Sequence, residues 1–207
     1  MKTYSIDFHD ASVLHSRIDL LMMLKEHYPK LKVSLFWIPF DYRSENSLQG
    51  SIMRKTTLEA IKKQLDWIEL IPHGLLHLPK EFEKCDYETM AKALLAIDEA
   101  MKKDDLPYQR GFCAPYWLWN EQVVKCLDDN GWWGAVDLNQ PQMARTKAFY
   151  KYSHSIDSPF WLSKNEVIKL HGHIGRPDIN NIEDCFLNLM KMSTDTEFKF
   201  VSEMVEK

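Results

Sequence analysis

Short apolar runs alternate along the chain with segments whose apolar residues recur at helical spacing. The apolar runs predict strands at 4–8, 32–38, 67–71, 109–113, 133–136, 148–152, 166–170 and 197–201. The helical spacing predicts helices at 14–28, 57–65, 87–102, 120–129 and 182–192. Such alternation is typical of parallel βαβ units. We therefore expect an α/β fold in which about six to eight strands close, or nearly close, into a barrel.

Polar and aromatic side chains follow several of these strands at their carboxyl ends. In barrels of parallel strands the carboxyl ends form one rim, and functional sites lie there. The candidates at the rim are His9, Asp10, His73, His77, Pro115, Tyr116, Trp117, Asp137, His171 and His173. We expect them to face one shared site.

Two histidines four residues apart, His73 and His77, follow a predicted strand and a proline. On one helical turn their imidazoles would point in the same direction, and each would offer a nitrogen to one ion. Asp10 would complete a two-histidine, one-aspartate set that leaves positions for water and substrate. The alternative for Asp10 is to cap the following helix. The set predicts a divalent metal, with zinc favoured and iron, cobalt or nickel also compatible.

Two further pairs of residues are candidates for acid–base chemistry. Asp7 and His9 are two apart on a strand and share a face, and burying both inside a barrel is seldom required by structure alone. His171 and His173 share a face in the same way, and an imidazole there could serve as a general acid. The alternative for this second pair is a structural, hydrogen-bonded role.

The segment 113–117 (CAPYW) follows another strand and would form a rigid aromatic wall with free backbone N–H groups, or a turn packed on the core.

No two of the four cysteines form a CxxC pair, which favours reduced thiols over a disulfide framework or a thiolate zinc site.

The length and net charge of the chain limit the classes of protein to which it can belong. The 207 residues suit one domain covering the whole chain, 1–207. A net charge of −4 argues against nucleic-acid binding through phosphate neutralisation. The sequence contains no signal-peptide pattern and no run near the roughly 20 apolar residues of a membrane span. We expect a cytoplasmic protein with no membrane partner, and the oligomeric state is not predicted.

The order of the motifs resembles the NodB-homology polysaccharide deacetylases, carbohydrate esterase family 4, and their divergent deacetylase-like branch. The family's first motif reads TFDDG, in which the first Asp is the catalytic base and the second binds the metal. Residues 8–11 (FHDA) fall in that place, so Asp10 matches the metal ligand and His9 stands at the base position. The family's metal pair H-[ST]-x-x-H matches His73 and His77, with Gly74 in place of Ser or Thr.

The later motifs match with departures. The family's R-x-P-[YW] corresponds to residues 113–116 (CAPY) and lacks its arginine, for which Arg110 could substitute. The fourth motif is weak, with Trp132, Trp133 and Asp137 in about the right place. The family's L-x-x-H, which carries the general acid, matches residues 170–173 and ends on His173, although His171 also fits.

The resemblance implies a distorted (β/α)7 barrel and a metal-dependent hydrolase that deacetylates an N-acetylated sugar or a related amide, a small molecule or an oligosaccharide. In that scheme His9 or Asp7 takes a proton from water, and His171 or His173 protonates the departing amine. The backbone N–H of Tyr116 would help to hold the oxyanion.

Two alternatives stay open. The altered first and third motifs are compatible with a carbohydrate-binding pseudoenzyme. A related barrel hydrolase would act on another C–N bond or on a glycosidic bond, but glycosidases need two flanking carboxylates, and only Asp7 and Asp10 occur together.

Overall fold

The computed structural model describes residues 1–41, 48–137, 144–174 and 180–207. The strands in these residues are β1 (Lys2–Ala11), β2 (Val33–Trp37), β3 (Ile68–Pro72), β4 (Gly111–Phe112), β5 (Trp133–Val136), β6 (Phe149–Lys151), β7 (His154–Ser155), β8 (Val167–His173) and β9 (Thr196–Lys199). The helices are α1 (Ile18–His27), α2 (Leu48–Lys62), α3 (Tyr87–Lys103), α4 (Glu121–Asp129) and α5 (Ile182–Leu189). Asp178, which the sequence places in a loop, lies outside the described residues.

The strands form two parallel sheets. One sheet has the order β3-β2-β1-β8-β7, with β9 also paired to β1, and the other has the order β4-β5-β6. A parallel bridge between His73 and Cys113 connects the end of β3 to the end of β4. The fold is therefore the predicted α/β fold of distorted (β/α)7 type, and its sheet is not closed within the described part of the chain.

The central strand is β1, which pairs with β2, β8 and β9. Its alternate residues Tyr4, Ile6 and Phe8 belong to the main apolar core that also includes residues of the helices. Asp7 and His9, which alternate with these residues along the strand, are buried on the opposite face. Because β1 and β8 pair in register, Asp7 lies opposite His171 and His9 opposite His173.

Several boundaries of the helices and strands differ from those predicted. Helix α1 begins at Ile18 rather than residue 14, because the hydroxyl of Ser12 accepts hydrogen bonds from the N–H groups of Leu14 and His15 and holds a turn there. Helix α2 begins at residue 48, well before the predicted 57. Strand β8 extends to His173, so His171 and His173 lie within the strand rather than after it.

The predicted starts of α3 and α4 are confirmed. Asp86 accepts a hydrogen bond from the N–H of Thr89 at 2.7 Å and caps α3. Asn120 caps α4 by accepting from the N–H groups of Gln122 and Val123. Both contacts satisfy amide donors that the first turn of a helix leaves without partners.

Among the described residues no helix is both long and apolar enough to cross a bilayer.

Candidate metal site and its surroundings

The loop after β3 brings His73 and His77 together without a helical turn. The predicted helical turn is wrong, because Gly74 and His77 both adopt left-handed backbone angles, with φ of 65° and 57°. The side chain of Glu81 accepts hydrogen bonds from the N–H groups of Leu75 and Leu76 and closes the loop. The loop turns back so that both imidazoles reach the same carboxylate.

That carboxylate is Asp10, at the end of β1. Its Oδ1 lies 3.3 Å from Nε2 of His73 and 2.7 Å from Nε2 of His77. His73 Nδ1 lies 3.0 Å from the carbonyl oxygen of Cys113, which can only accept, so Nδ1 carries the proton and Nε2 is left for a ligand. A hydrogen bond of this kind orients metal-binding histidines.

The three side chains fit a divalent metal ion. Each offers one ligand atom, and the three atoms lie within 4.8 Å of one another. Burial lowers the pKa of His73, which favours the neutral imidazole. Burial alone would raise the pKa of Asp10, but the adjacent His73 and His77 outweigh that effect and hold the pKa well below its usual value. Neutral imidazoles and an ionised carboxylate are the forms that bind metal.

A cavity of about 280 Å³ opens above this triad. It is lined by His9, Asp10, His73, His77, Tyr116, Trp117 and His173. Seven of the side chains that the sequence placed at the rim therefore share one cavity. Asp7, Pro115, Asp137 and His171 are not among its lining residues.

The aromatic side chains of Tyr116 and Trp117 form part of the cavity wall. Pro115–Trp117 is a short 3-10 helix, in which Tyr116 and Trp117 have left-handed φ angles of 57° and 61°. The ring of Tyr116 lies 5.5 Å from that of His77, and the ring of Trp117 lies 5.0 Å from that of His9. Tyr116 remains 50% exposed, so its ring is accessible to a ligand.

Asp7 is buried behind His9. Its Oδ1 lies 2.7 Å from Nδ1 of His171 and 3.4 Å from Nε2 of His9, and its Oδ2 accepts a hydrogen bond from the hydroxyl of Tyr150. The other nitrogen of His9, Nδ1, faces the sulfur of Cys113 at 3.9 Å. Burial and the neighbouring His171 lower the pKa of His9 well below its usual value.

His173 is held differently from His9 and His171. Its Nδ1–H donates a hydrogen bond to Oδ1 of Asn180, and its ring lines the cavity. Nε2 is therefore the nitrogen left for a molecule in the cavity. Burial, followed by the nearby His171, lowers the pKa of His173.

Two predicted residues lie away from the cavity. Asp137 accepts a hydrogen bond from the hydroxyl of Tyr152 at 2.7 Å, and the Tyr152 ring stacks on His171. Arg110 is exposed and lines a separate cavity with Tyr108, so it does not take the place of the family's arginine.

Sequence reasoning missed Tyr150, Tyr152 and Asn180. Each contacts a predicted site residue, but none belongs to a local motif. Tyr150 and its partner Asp7 are 143 residues apart, so only the strand order brings them together.

Comparisons with known proteins show which solved structures share this fold. No protein-family model matches the chain, and no curated protein matches its sequence. A family 4 acetyl xylan esterase from Clostridium thermocellum, in complex with a cobalt ion, matches with a TM-score of 0.62 and 10% identity, over 98% of this chain and 90% of that one. The chitin deacetylase of the fungal pathogen Colletotrichum lindemuthianum matches with a TM-score of 0.61 and 11% identity, over 97% and 86%.

A CE4 family pseudoenzyme from Bacillus anthracis matches with a TM-score of 0.59 and 12% identity, over 98% of this chain and 64% of that one. The chain therefore has the fold of the carbohydrate esterase family 4 proteins, and the resemblance to that superfamily seen in its motifs is confirmed at the level of the fold.

Gly74, in the loop that carries His73 and His77, provides a test of that loop's backbone geometry. A Cβ on Gly74 would come within 2.6 Å of Glu81 Oε2 and 2.7 Å of Pro115 Cγ. At Gly131, with a similar φ of 72°, a Cβ would meet nothing within 4 Å. Both substitutions to alanine should cost about 1–2 kcal/mol for the left-handed backbone. Gly74→Ala should cost about 1–3 kcal/mol more through overpacking.

The measurement is urea unfolding of the two variants after chelator treatment, together with their zinc affinities. Only Gly74→Ala should also weaken zinc binding, because Gly74 lies in the loop of the candidate ligands His73 and His77, whereas Gly131 lies outside it. Equal stabilities and equal zinc affinities in the two variants would contradict the described packing of the loop.

Proposed function

We propose that this protein is a metal-dependent hydrolase that removes the acetyl group from an N-acetylated sugar or a related amide. The observation that carries the proposal is the Asp10, His73 and His77 triad at the base of a cavity walled by Tyr116 and Trp117. The fold is shared with deacetylases and esterases, and the aromatic rings provide faces on which a sugar ring can stack.

Asp10, His73 and His77 would hold the ion, with zinc favoured for this donor set. When bound, the ion supplies Lewis acidity towards the amide carbonyl and lowers the pKa of water. The chain contributes a fixed ligand geometry, since the Cys113 carbonyl orients His73 and the Glu81 carboxylate holds the loop.

We assign proton transfer to His173. Its Nδ1 is committed to Asn180, and its Nε2 is the nitrogen available to the cavity. His173 Nε2 accepts a proton from the attacking water and then donates it to the amine nitrogen as the C–N bond breaks, which yields acetate and a free amine. His9 and Asp7, the other candidates for the base, fit this role less well, because both nitrogens of His9 face protein groups and Asp7 is only 1% exposed.

The backbone around Tyr116 is the proposed oxyanion site. The resemblance assigns the Tyr116 N–H to this role, and the left-handed turn directly after the buried Pro115 gives that peptide a defined orientation. A fixed N–H donor is most effective when it is aimed where charge develops in the transition state.

Acetate release tests the proposal directly. Zinc-loaded protein is incubated with a panel of N-acetylated mono- and oligosaccharides, and acetate and free amine are measured together. The expected result is equimolar acetate and amine from at least one compound, lost on chelation and restored by zinc. Metal-loaded protein that binds a sugar but releases no acetate from any compound would overturn the proposal.

Binding without turnover is the second candidate function. Two observations favour it: His9 stands at the base position of the family motif, and Arg110 lies in a separate cavity. The fold also occurs in a CE4 pseudoenzyme. This candidate predicts saturable sugar binding, by calorimetry, that is abolished by Trp117→Ala while no acetate is formed.

A further inference from the structure

We propose that Asp7, His9 and His171 form a second divalent-metal site beside the first. This inference goes beyond the proposed function, because the motif resemblance places one metal ion at Asp10 and requires none at Asp7. It concerns metal binding alone and does not depend on whether the protein hydrolyses an amide.

The geometry of this second triad repeats that of the first. In each, one carboxylate oxygen faces two imidazole nitrogens, at 2.7 and 3.4 Å for Asp7 and at 2.7 and 3.3 Å for Asp10. In each, the three ligand atoms lie within 4.8 Å of one another. The donor types are also the same, two imidazoles and one carboxylate. Zinc is therefore favoured at the second triad for the same reason as at the first.

Burial and charge favour a cation at this position. The side chains of Asp7, His9 and His171 are only 1%, 3% and 5% exposed. In the described part of the chain, the basic side chains within ion-pair distance of Asp7 are the histidines His9 and His171, and no lysine or arginine lies there. A buried carboxylate is costly without a compensating positive charge. A divalent ion provides that charge while the imidazoles stay neutral.

The ligands are held in place by neighbouring groups. The Tyr150 hydroxyl donates to Oδ2 of Asp7, which leaves Oδ1 for the ion. The ring of Tyr152 stacks on His171 at 4.6 Å, and the ring of His9 lies 4.2 Å from that of Phe36. Ligand-orienting contacts of this kind are a regular feature of metal sites.

The second triad adjoins the first and borders open space. His9 lines the cavity above Asp10, and His171 lines a neighbouring cavity of about 410 Å³. The rings of His9 and His73, one from each triad, have centroids 4.7 Å apart. On binding, the proton of His171 moves from Nδ1 to Nε2, so that the neutral imidazole offers Nδ1 to the ion while Asp7 stays ionised.

The test counts zinc ions per chain. Wild type and variants are stripped with a chelator, reloaded with excess zinc chloride, desalted and measured by elemental mass spectrometry. We expect two ions in wild type and in the surface control His27→Gln. We expect one ion in Asp7→Asn, in His171→Gln and in His77→Gln, because each variant loses one triad and keeps the other.

Asp7→Asn keeps an oxygen for the Tyr150 hydroxyl, and thermal unfolding of the stripped proteins checks that every variant is folded. If Asp7→Asn does not fold, His171→Gln carries the test. One ion in wild type that persists in Asp7→Asn and His171→Gln would overturn the proposal, as would two ions in wild type and in both variants. Neither result depends on acetate release, so failure here is distinguishable from failure of the hydrolase proposal.

Discussion

Replacing His77 with glutamine is expected to lower kcat/KM for acetate release by at least about a thousandfold. A bound metal contributes several kcal/mol of charge stabilisation in the transition state, and each 1.4 kcal/mol is a tenfold change in rate. His77 Nε2 lies 2.7 Å from Asp10 Oδ1, so its loss removes one of three donors. The measurement is initial rates of acetate release by zinc-loaded protein on the best substrate from the panel.

His27→Gln is the matched control, because it makes the same chemical change on the exposed face of α1. It should retain wild-type activity. A His77→Gln variant that keeps activity within about tenfold of the control would place the ion or the chemistry elsewhere, since that ratio is only 1.4 kcal/mol.

Replacing His173 with glutamine is expected to lower kcat by about 10²- to 10⁴-fold, the usual contribution of a positioned acid–base group. The zinc content should equal that of wild type, because His173 belongs to neither triad. KM should change little, since the proton transfers occur after the substrate is bound. The measurement is steady-state kinetics alongside zinc analysis of the same preparations.

Asn180→Ala separates orientation from chemistry. It removes the acceptor on His173 Nδ1 but keeps the imidazole, so we expect a smaller loss of kcat than in His173→Gln. A His173→Gln variant with a loss below about threefold would contradict the assignment, because a general acid–base group contributes far more. Proton transfer would then be assigned to His9 or Asp7, the other candidates for the base.

The convergence of Asp10, His73 and His77 could be predicted from the sequence, but the backbone that produces it could not. A spacing of four residues brings two imidazoles together on a helix, and the chain achieves the same convergence with a loop. Gly74 is compatible with a left-handed turn in either case. His77 also adopts a left-handed φ, and nothing in its residue type signals this, because the conformation is stabilised by the contacts of the loop with Glu81.

The strand that carries His171 and His173 shows a second limit of sequence reasoning. The apolar run predicts a strand that ends at residue 170, and Gly172 adds no local preference for its continuation. In the fold, pairing with β1 continues through Gly172 to His173, because the partner strand supplies hydrogen bonds that local propensity does not include. The shared face of the two histidines was nevertheless correct, since alternation within a strand depends only on sequence spacing.

Long-range contacts within the site are the part that the sequence could not provide. Asp7 and His9 were predicted to share a buried face, and they do. Their union with His171 into a second triad depends on the register of β1 against β8, which no local pattern encodes. The hydroxyl of Tyr150 reaches Asp7 from a strand of the other sheet.

An anomalous difference map, collected at the zinc absorption edge from crystals of the zinc-loaded protein, tests whether Asp10, His73 and His77 hold an ion. We expect a strong peak about 2.0–2.2 Å from an Asp10 carboxylate oxygen and from Nε2 of both His73 and His77. A map with no peak within bonding distance of these three atoms would contradict the proposed function, because the proposed hydrolase requires an ion at that position.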